Sequence, residues 1–201
     1  MYAIVEAAGW PIWFLIPCSV IAVALIIERL MHLRSKRISP PTLLNEVVNE
    51  LKQRGISDSM LSKLAAGSPL GSIFAAGLRN IKSPPEIMKE SISEAGRAAS
   101  HEMGRFLTTL GTIASISPLL GLFGTVVGMI EIFGSQAALG NSPAILARGI
   151  SIALYNTAFG LIVAVPSMIF YRHFRSQVDT LTIEMEQQAI KLVAIVHGQR
   201  K

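Results

Sequence analysis

Three long apolar stretches dominate the hydrophobic and polar pattern of the chain. They are Trp10–Leu30, Phe106–Phe133 and Pro143–Tyr171, and the second holds a single ionisable residue, Glu131. A helix needs about 20 apolar residues to cross a hydrocarbon core of about 30 Å, and each stretch provides them. Strand-like alternation occurs nowhere in the sequence. The pattern therefore predicts an all-α integral membrane protein with three transmembrane helices.

The second and third stretches are joined to amphipathic sequence without an obvious helix stop. The charged segment Glu86–Arg105 leads into the second span, with Ser83 as the expected N-cap and no clear stop before Gly134. Pro118 is the one interior breaker, and a transmembrane helix tolerates it. Apolar residues also recur near the helical period through Phe174–Val196. We therefore expect both spans to extend as long helices beyond the membrane.

The segment between the first and second spans is polar and divided by turn signals. Apolar spacing predicts a helix over Thr42–Arg54 that stops at Gly55, and two more over Ser57–Ala66 and from Ser68 to about Asn80. These helices are too short to be stable alone, so we expect them to pack on the long helices. Nothing in residues 40–82 indicates a particular function.

Composition and charge agree with a membrane protein. The 201 residues are 51% apolar and 15% charged, and the mean hydropathy is +0.49. The net charge of +5 could indicate nucleic-acid binding, but no basic patch with interleaved aromatic residues is present. The positive charge instead follows the first and third spans, at Arg34, Lys36, Arg37, Arg172, His173 and Arg175. The positive-inside rule then places these ends and the C-terminus in the cytoplasm and the N-terminus outside.

Residues for metal binding or catalysis are scarce. Cys18 is the only cysteine, so no intrachain disulfide can form. The histidines are scattered without ligand spacing, at His32, His101, His173 and His197. No nucleophile triad, paired intramembrane carboxylates or phosphate-binding loop is visible. We expect no metal site, no cofactor and no enzymatic activity.

The second and third spans each carry one side of small and polar residues. In the second span this side consists of Gly121, Gly124, Thr125 and Gly128, which fall on one helix face. In the third span it consists of Gly149, Ala153, Asn156, Thr157, Gly160 and Ala164. Two interpretations remain open, tight helix packing and the hydroxyl-lined wall of a pore. Hydroxyls and amides bind water but do not titrate near neutral pH, so proton transport would need a carboxylate from elsewhere.

Two charged residues lie near the outer ends of these spans. Glu131 precedes the outer loop and Arg148 follows it. A buried charge is costly unless it is paired, so the two can form an ion pair across the loop. Alternatively, each side chain extends to the membrane interface. Glu131 lies too close to the surface for a role as a proton carrier.

Two motifs resemble the ExbB/TolQ proton-channel family, and ExbB most. They are SPLLGLFGTVVGMI at residues 117–130 and GISIALYNTAFGLIVAVP at residues 149–166. Glu28-Arg29-Leu30 at the end of the first span is also similar to the family, and the resemblance covers nearly the whole chain. Flagellar stator proteins of the MotA type are more distant relatives with an additional span.

The resemblance implies a homopentamer around a central pore in the lipid of the bacterial inner membrane. It implies a dimer of an ExbD/TolR-type single-span partner inside the pore, whose helix supplies an aspartate. Proton flow would drive a motor that acts through a TonB-type or TolA-type transducer. Thr125 and Thr157 would be the two pore threonines, beside Asn156. The implied segments are a periplasmic N-terminus (1–9), a first span (10–31), a cytoplasmic helical domain (32–105), a second span (106–133), a periplasmic loop (134–142), a third span (143–171) and a cytoplasmic C-terminal helix (172–201).

Two positions depart from the family pattern. The family usually has a glutamate where this chain has Ile152, and a small residue where it has Asn156. The most direct functional hypothesis is an ExbB-like subunit that energises TonB-dependent transport. A TolQ-like subunit of the Tol-Pal envelope system is a close alternative, and a non-conducting membrane scaffold of the same fold is another, because the glutamate is missing.

Overall fold

The structure, a computed structural model, describes residues 8–139 and 143–198, without the side chains of residues 36, 135–139 and 145. The regular elements in these ranges are all helices, so the all-α prediction is confirmed for them. In chain order they are α1 (Ile12–His32), α2 (Ser35–Ile38), α3 (Leu43–Arg54), α4 (Asp58–Gly67), α5 (Pro69–Arg79), α6 (Pro85–Gly104), α7 (Leu107–Leu139) and α8 (Pro143–Val196). Expectations for residues 1–7, 140–142 and 199–201 lie outside the described residues.

Three helical segments are long and apolar enough to cross a membrane. One is α1, and the other two are apolar windows within Pro85–Gly134 and Leu146–Val196. The predicted number of candidate spans is therefore confirmed. The helix that contains the third span continues beyond it, as predicted. α8 is one helix of 54 residues, with Pro166 in its interior.

The second long helix is interrupted where one uninterrupted helix was expected. α6 ends at Gly104 and α7 begins at Leu107, because Phe106 has a φ of +65°. This left-handed conformation is incompatible with a right-handed helix and costs a residue with a side chain about 1–2 kcal/mol. The expected Ser83 N-cap is also wrong, since Pro84 is the N-cap and makes no side-chain bond.

Local capping signals in the polar segment act as the sequence indicates. The Ser57 hydroxyl accepts a hydrogen bond from the Met60 amide at 3.2 Å and begins α4. The Ser68 hydroxyl accepts one from the Gly71 amide at 3.1 Å and begins α5. Gly55 ends α3 with a φ of +70°, a value that glycine adopts without strain. These contacts fix the helix boundaries to within a residue of the prediction.

The end of α7 lies beyond the predicted boundary. The helix continues through Gly134 to Leu139, so the expectation that a loop starts at Gly134 is wrong. Gly134 occupies an ordinary helical position, where an added methyl group would meet no atom of the described residues within 4 Å. An exposed glycine weakens a helix without necessarily ending it.

The chain divides into two compact units. The span unit comprises the described residues up to Arg29 together with Phe106–His173, and the helical unit comprises Leu30–Arg105 with the described residues from Phe174 onwards. In the helical unit, buried residues recur at helical spacing along one side of α8. They are Phe174, Val178, Leu181, Met185, Ala189 and Leu192. Within the same unit, the Gln177 side chain donates to the Leu33 carbonyl at 2.7 Å and Gln188 donates to the Ser39 hydroxyl at 3.0 Å.

The strained backbone at Phe106 gives a testable expectation. Phe106→Gly and Phe106→Ala both remove the ring and its stacking under the Arg29 guanidinium, which lies 5.3 Å from the ring centroid. Only glycine relieves the positive φ, so the glycine variant should have a free energy of unfolding about 1 kcal/mol higher than the alanine variant. Denaturant titration of the purified protein in detergent measures this difference.

The matched control is Ala98→Gly, at an exposed position inside α6. There glycine should lower the free energy of unfolding by about 0.5–1 kcal/mol. Equal stability of the two Phe106 variants would contradict the assignment of strain to this residue.

Candidate functional site

Glycines bring the backbones of α7 and α8 into direct contact inside the span unit. A methyl group added to Gly160 would lie 2.6 Å from the Ser117 carbonyl oxygen and 3.2 Å from the Gly121 Cα. A methyl group on Gly121 would lie 2.8 Å from the Asn156 carbonyl oxygen. Any side chain larger than hydrogen would therefore force the two helices apart at this level.

The contact continues two turns further along the helices. A methyl group on Gly128 would lie 3.1 Å from the Gly149 carbonyl oxygen and 3.3 Å from the Ala153 amide nitrogen. On Gly149 it would lie 3.2 Å from the Gly128 carbonyl oxygen. Ala153 is itself buried, with 8% of its surface exposed. The two small sides that the sequence predicts thus face each other within one chain, which is the geometry of tight helix packing.

The two threonines lie at the margin of this contact. Thr125 and Thr157 are both half-buried, and Thr157 is next to Gly121, where an added methyl group would lie 3.1 Å from the Thr157 Cα. The Thr125 hydroxyl donates to the Leu122 carbonyl at 2.6 Å, and the Thr157 hydroxyl donates to the Ala153 carbonyl at 3.2 Å. Each hydroxyl proton is therefore used within its own helix. The oxygen lone pairs can still accept hydrogen bonds from water or from a protonated group.

Asn156 lies inside the contact instead of at its margin. Its side chain is fully buried, and the amide nitrogen donates to the Ala8 carbonyl at 2.7 Å and to the Ile152 carbonyl at 2.9 Å. Gly124 makes room for it, because a methyl group there would lie 2.5 Å from the Asn156 Cγ. Within the single chain Asn156 is thus a packing residue, and its pore-lining role stays a prediction.

Ile152 faces the same interior. Its side chain is 8% exposed, and its Cγ2 would lie 3.7 Å from a methyl group on Gly9 and 3.4 Å from one on Gly128. The position where the resemblance leads one to expect a glutamate is therefore filled by apolar packing against α7 and the residues before α1.

Glu131 and Arg148 lie at one level of the helix pair. Ile132 packs on Gly149, where an added methyl group would lie 2.6 Å from the Ile132 Cδ1, and each charged residue directly precedes one of these two. Both charged residues are exposed. The geometry is compatible with an ion pair between them, which stays a prediction.

Two serines of the spans are buried and were not singled out from the sequence. Ser117 and Ser167 are 0% and 1% exposed, and their hydroxyls donate to the Ile113 and Val163 carbonyls, each at 2.7 Å. A signal for Ser117 exists, because it lies four residues before Gly121 on the same helix side. No sequence signal indicates the bond between Asn156 and Ala8, which are 148 residues apart.

The span unit and its site define a class of protein. This class consists of helical membrane proteins in which two spans pack through glycines and carry hydroxyls at the edge of their contact. In the part of the chain that the structure describes, no three His, Cys, Asp or Glu residues are grouped to hold a metal ion.

Comparison with known proteins identifies the family. The family described as MotA/TolQ/ExbB proton channel matches residues 65–187, more than half of the chain. A protein of Synechocystis sp. named ExbB-like 3 is 34% identical over 162 residues, which cover 79% of this chain and 77% of the relative. The chain belongs to the MotA/TolQ/ExbB proton channel family, as the two motifs predict.

Two further relatives carry different names. The Tol-Pal system protein TolQ of Pseudomonas aeruginosa is 31% identical over 160 residues, covering 71% of this chain and 69% of the relative. The biopolymer transport protein ExbB of Salmonella typhimurium is 30% identical over 148 residues, covering 67% and 61%. This chain therefore spans less than two thirds of the length of the Salmonella relative.

The glycine contact predicts the effect of adding one methyl group. Gly160→Ala should lower the free energy of unfolding by about 1–3 kcal/mol, because the methyl group would overlap the Ser117 carbonyl. Gly134→Ala is the matched control in the partner helix, where the methyl group meets no described atom within 4 Å. The control should be neutral or more stable by up to about 1 kcal/mol. Denaturant titration in detergent compares the two, and a Gly160→Ala protein as stable as the control would contradict the close contact.

Proposed function

We propose that this chain is the pore-forming subunit of a motor in the bacterial inner membrane that is driven by the proton-motive force. In this ExbB-like role it acts with an ExbD-type partner and energises TonB-dependent transport across the outer membrane. The family membership supports a proton-channel role. The observation that carries the proposal is the pair Thr125 and Thr157, half-buried hydroxyls at the edge of a rigid glycine contact.

The chemistry of the spans explains why a partner is required. Glu131 is the only Asp or Glu in the second and third spans (106–133 and 143–171), and it lies near the outer end of its span. Hydroxyls can relay a proton through bound water but cannot store it, because they do not titrate near neutral pH. A carboxylate from another protein must therefore take up and release the proton. An aspartate on the single-span helix of an ExbD/TolR-type partner meets this requirement.

The assembly that follows is a homopentamer with the partner dimer on its axis. Five copies would place five Thr125 and Thr157 pairs around the two partner helices, where each hydroxyl oxygen accepts a hydrogen bond from water or from the protonated aspartate. The N-terminus lies in the periplasm and the C-terminus in the cytoplasm, since basic residues follow the first and third spans. The transducer is of the TonB type.

Ile152 limits the proton route to the threonines and the partner. Its side chain is enclosed by the packing of the span unit, so it offers neither a charge nor a water-binding atom to the pore. The route we propose does not use a carboxylate of this chain within the spans. This departure also supports a second candidate, a scaffold of the same fold that conducts no ions.

A TolQ-like role in the Tol-Pal system is the other candidate. The identities to the TolQ and ExbB relatives, 31% and 30%, do not separate the two roles. Co-purification with a TonB-type or a TolA-type transducer distinguishes them. Proton flux into liposomes, with and without the single-span partner, distinguishes both from the scaffold.

The threonine route gives a direct prediction. Thr157→Val keeps the shape of the side chain but removes the oxygen, so partner-dependent proton flux should fall by about tenfold or more, the cost of one good hydrogen bond. Thr157→Ser should retain most of the flux. Flux is measured with a pH-sensitive dye in liposomes containing this chain and the partner.

The matched control is Thr180→Val in the helical unit. Thr180 makes the same kind of bond, from its hydroxyl to the Ser176 carbonyl at 3.0 Å, but lies outside the predicted spans. Its flux should equal that of the unmodified protein. Undiminished flux in a correctly assembled Thr157→Val protein would exclude the pore role.

The proposed ion pair between Glu131 and Arg148 is tested by exchanging the charges. Glu131→Arg and Arg148→Glu alone place like charges side by side at one level of the helix pair, so each should lower the free energy of unfolding by up to about 1 kcal/mol. The double variant restores opposite charges and should recover most of the loss. If the double variant loses as much free energy of unfolding as the two single variants lose together, the residues do not pair.

A further inference from the structure

The residues before α1 dock into the centre of the span unit. Ala8 is fully buried and Ile12 is 1% exposed. Gly9 has a φ of +72°, which lets the chain turn towards α1 at this point. The Trp10 ring meets the Phe123 ring edge to face, with 5.8 Å between the centroids. Residues 8–10 therefore lie against the middle of α7 at Phe123 and against α8 at Ile152 and Asn156.

Asn156 joins this segment to α8. Its amide nitrogen donates to the Ala8 carbonyl at 2.7 Å and to the Ile152 carbonyl at 2.9 Å. Because both partners are acceptors, exchanging the positions of the amide nitrogen and oxygen would place oxygen against oxygen. The orientation of the amide is thus fixed by chemistry, and both N–H donors are used.

The space for the amide depends on Gly124. A methyl group there would lie 2.5 Å from the Asn156 Cγ and 3.0 Å from its Nδ2. Only a residue without a side chain lets α7 approach α8 closely and still leaves room for the carboxamide. Gly124, Asn156 and the Ala8 carbonyl therefore form one buried polar arrangement, termed here the asparagine latch.

The amide oxygen of Asn156 is left as an acceptor. The Oδ1 atom is buried and has no hydrogen-bond partner in residues 8–139 and 143–198. Buried polar atoms in folded proteins are almost always hydrogen-bonded, because an unmade bond costs the desolvation of the group. None of the described residues donates to this oxygen, and one water molecule is the smallest group that supplies such a bond.

We propose that the asparagine latch holds the start of the first span against the α7–α8 contact, and that Asn156 Oδ1 binds one buried water molecule. The latch lies one residue from Thr157, so it ties the start of the first span to the turn of α8 that carries this hydroxyl. It rests on contacts within one chain and requires no proton flow. A protein with an intact latch but no proton flux would overturn the proposed function and leave this inference standing.

The first experiment uses the unmodified protein. Selective ¹⁵N-asparagine labelling in detergent micelles resolves the side-chain carboxamides, whose hydrogen exchange is followed by NMR. The Asn156 carboxamide should exchange at least about a hundredfold more slowly than that of Asn45, which is part of α3 and not buried. Equal exchange rates at the two residues would overturn the latch.

The second experiment removes the bond while keeping the size of the side chain. In Asn156→Leu the Ala8 carbonyl loses its donor, so the backbone amides of residues 9–13 should exchange about tenfold faster by mass spectrometry. Asn45→Leu, the matched control, should leave these amides unchanged. Unchanged exchange of these amides in the Asn156→Leu protein would overturn the latch. If Asn156→Leu fails to fold while Asn45→Leu folds, the result supports a buried role for Asn156, which the labelling experiment tests independently.

The water is tested by an experimental structure at a resolution that shows ordered solvent. Density for a water within about 3.2 Å of Oδ1 is expected. A protein donor in that place, or no density within this distance, would overturn the water site.

Discussion

The close approach of α7 and α8 is the constraint on which the rest of the span unit depends. In lipid, helices gain little from burying apolar side chains, so their association relies on close packing and hydrogen bonds. Here the backbones meet because Gly121, Gly128 and Gly160 have no side chains, and a methyl group at any of them would lie within 3.1 Å of a carbonyl oxygen of the other helix. The same approach places Thr125 and Thr157 at the edge of the contact.

The polar groups of the spans divide into two kinds by the number of bonds they must make. Each hydroxyl has a single proton and gives it to a carbonyl of its own helix, as Thr125 and Thr157 do, which allows a half-exposed position. Asn156 has two donors and one acceptor, and its own helix satisfies only one donor. Its second donor therefore bonds the Ala8 carbonyl and the side chain becomes enclosed, whereas the threonines stay half-buried.

The interruption between α6 and α7 falls where the sequence changes from charged to apolar, at the point in the chain where the helical unit ends and the span unit resumes. α6 ends at Gly104, and Phe106 itself has a φ of +65°, which is unfavourable for a residue with a side chain. The Phe106 ring lies under the guanidinium of Arg29, which is only 6% exposed. Contacts made elsewhere in the span unit thus stabilise a conformation that local preference opposes.

The sequence by itself determined the helical class, the three spans and most helix ends in the polar segment. These features follow from local requirements, because a span must satisfy its backbone within its own helix and because Ser57 and Ser68 bond amides three residues away. Only the tertiary structure decided the interruption at Phe106 and the burial of Asn156. The physical reason is that both depend on residues distant in the chain, such as Arg29 and Ala8, whose proximity no local pattern encodes.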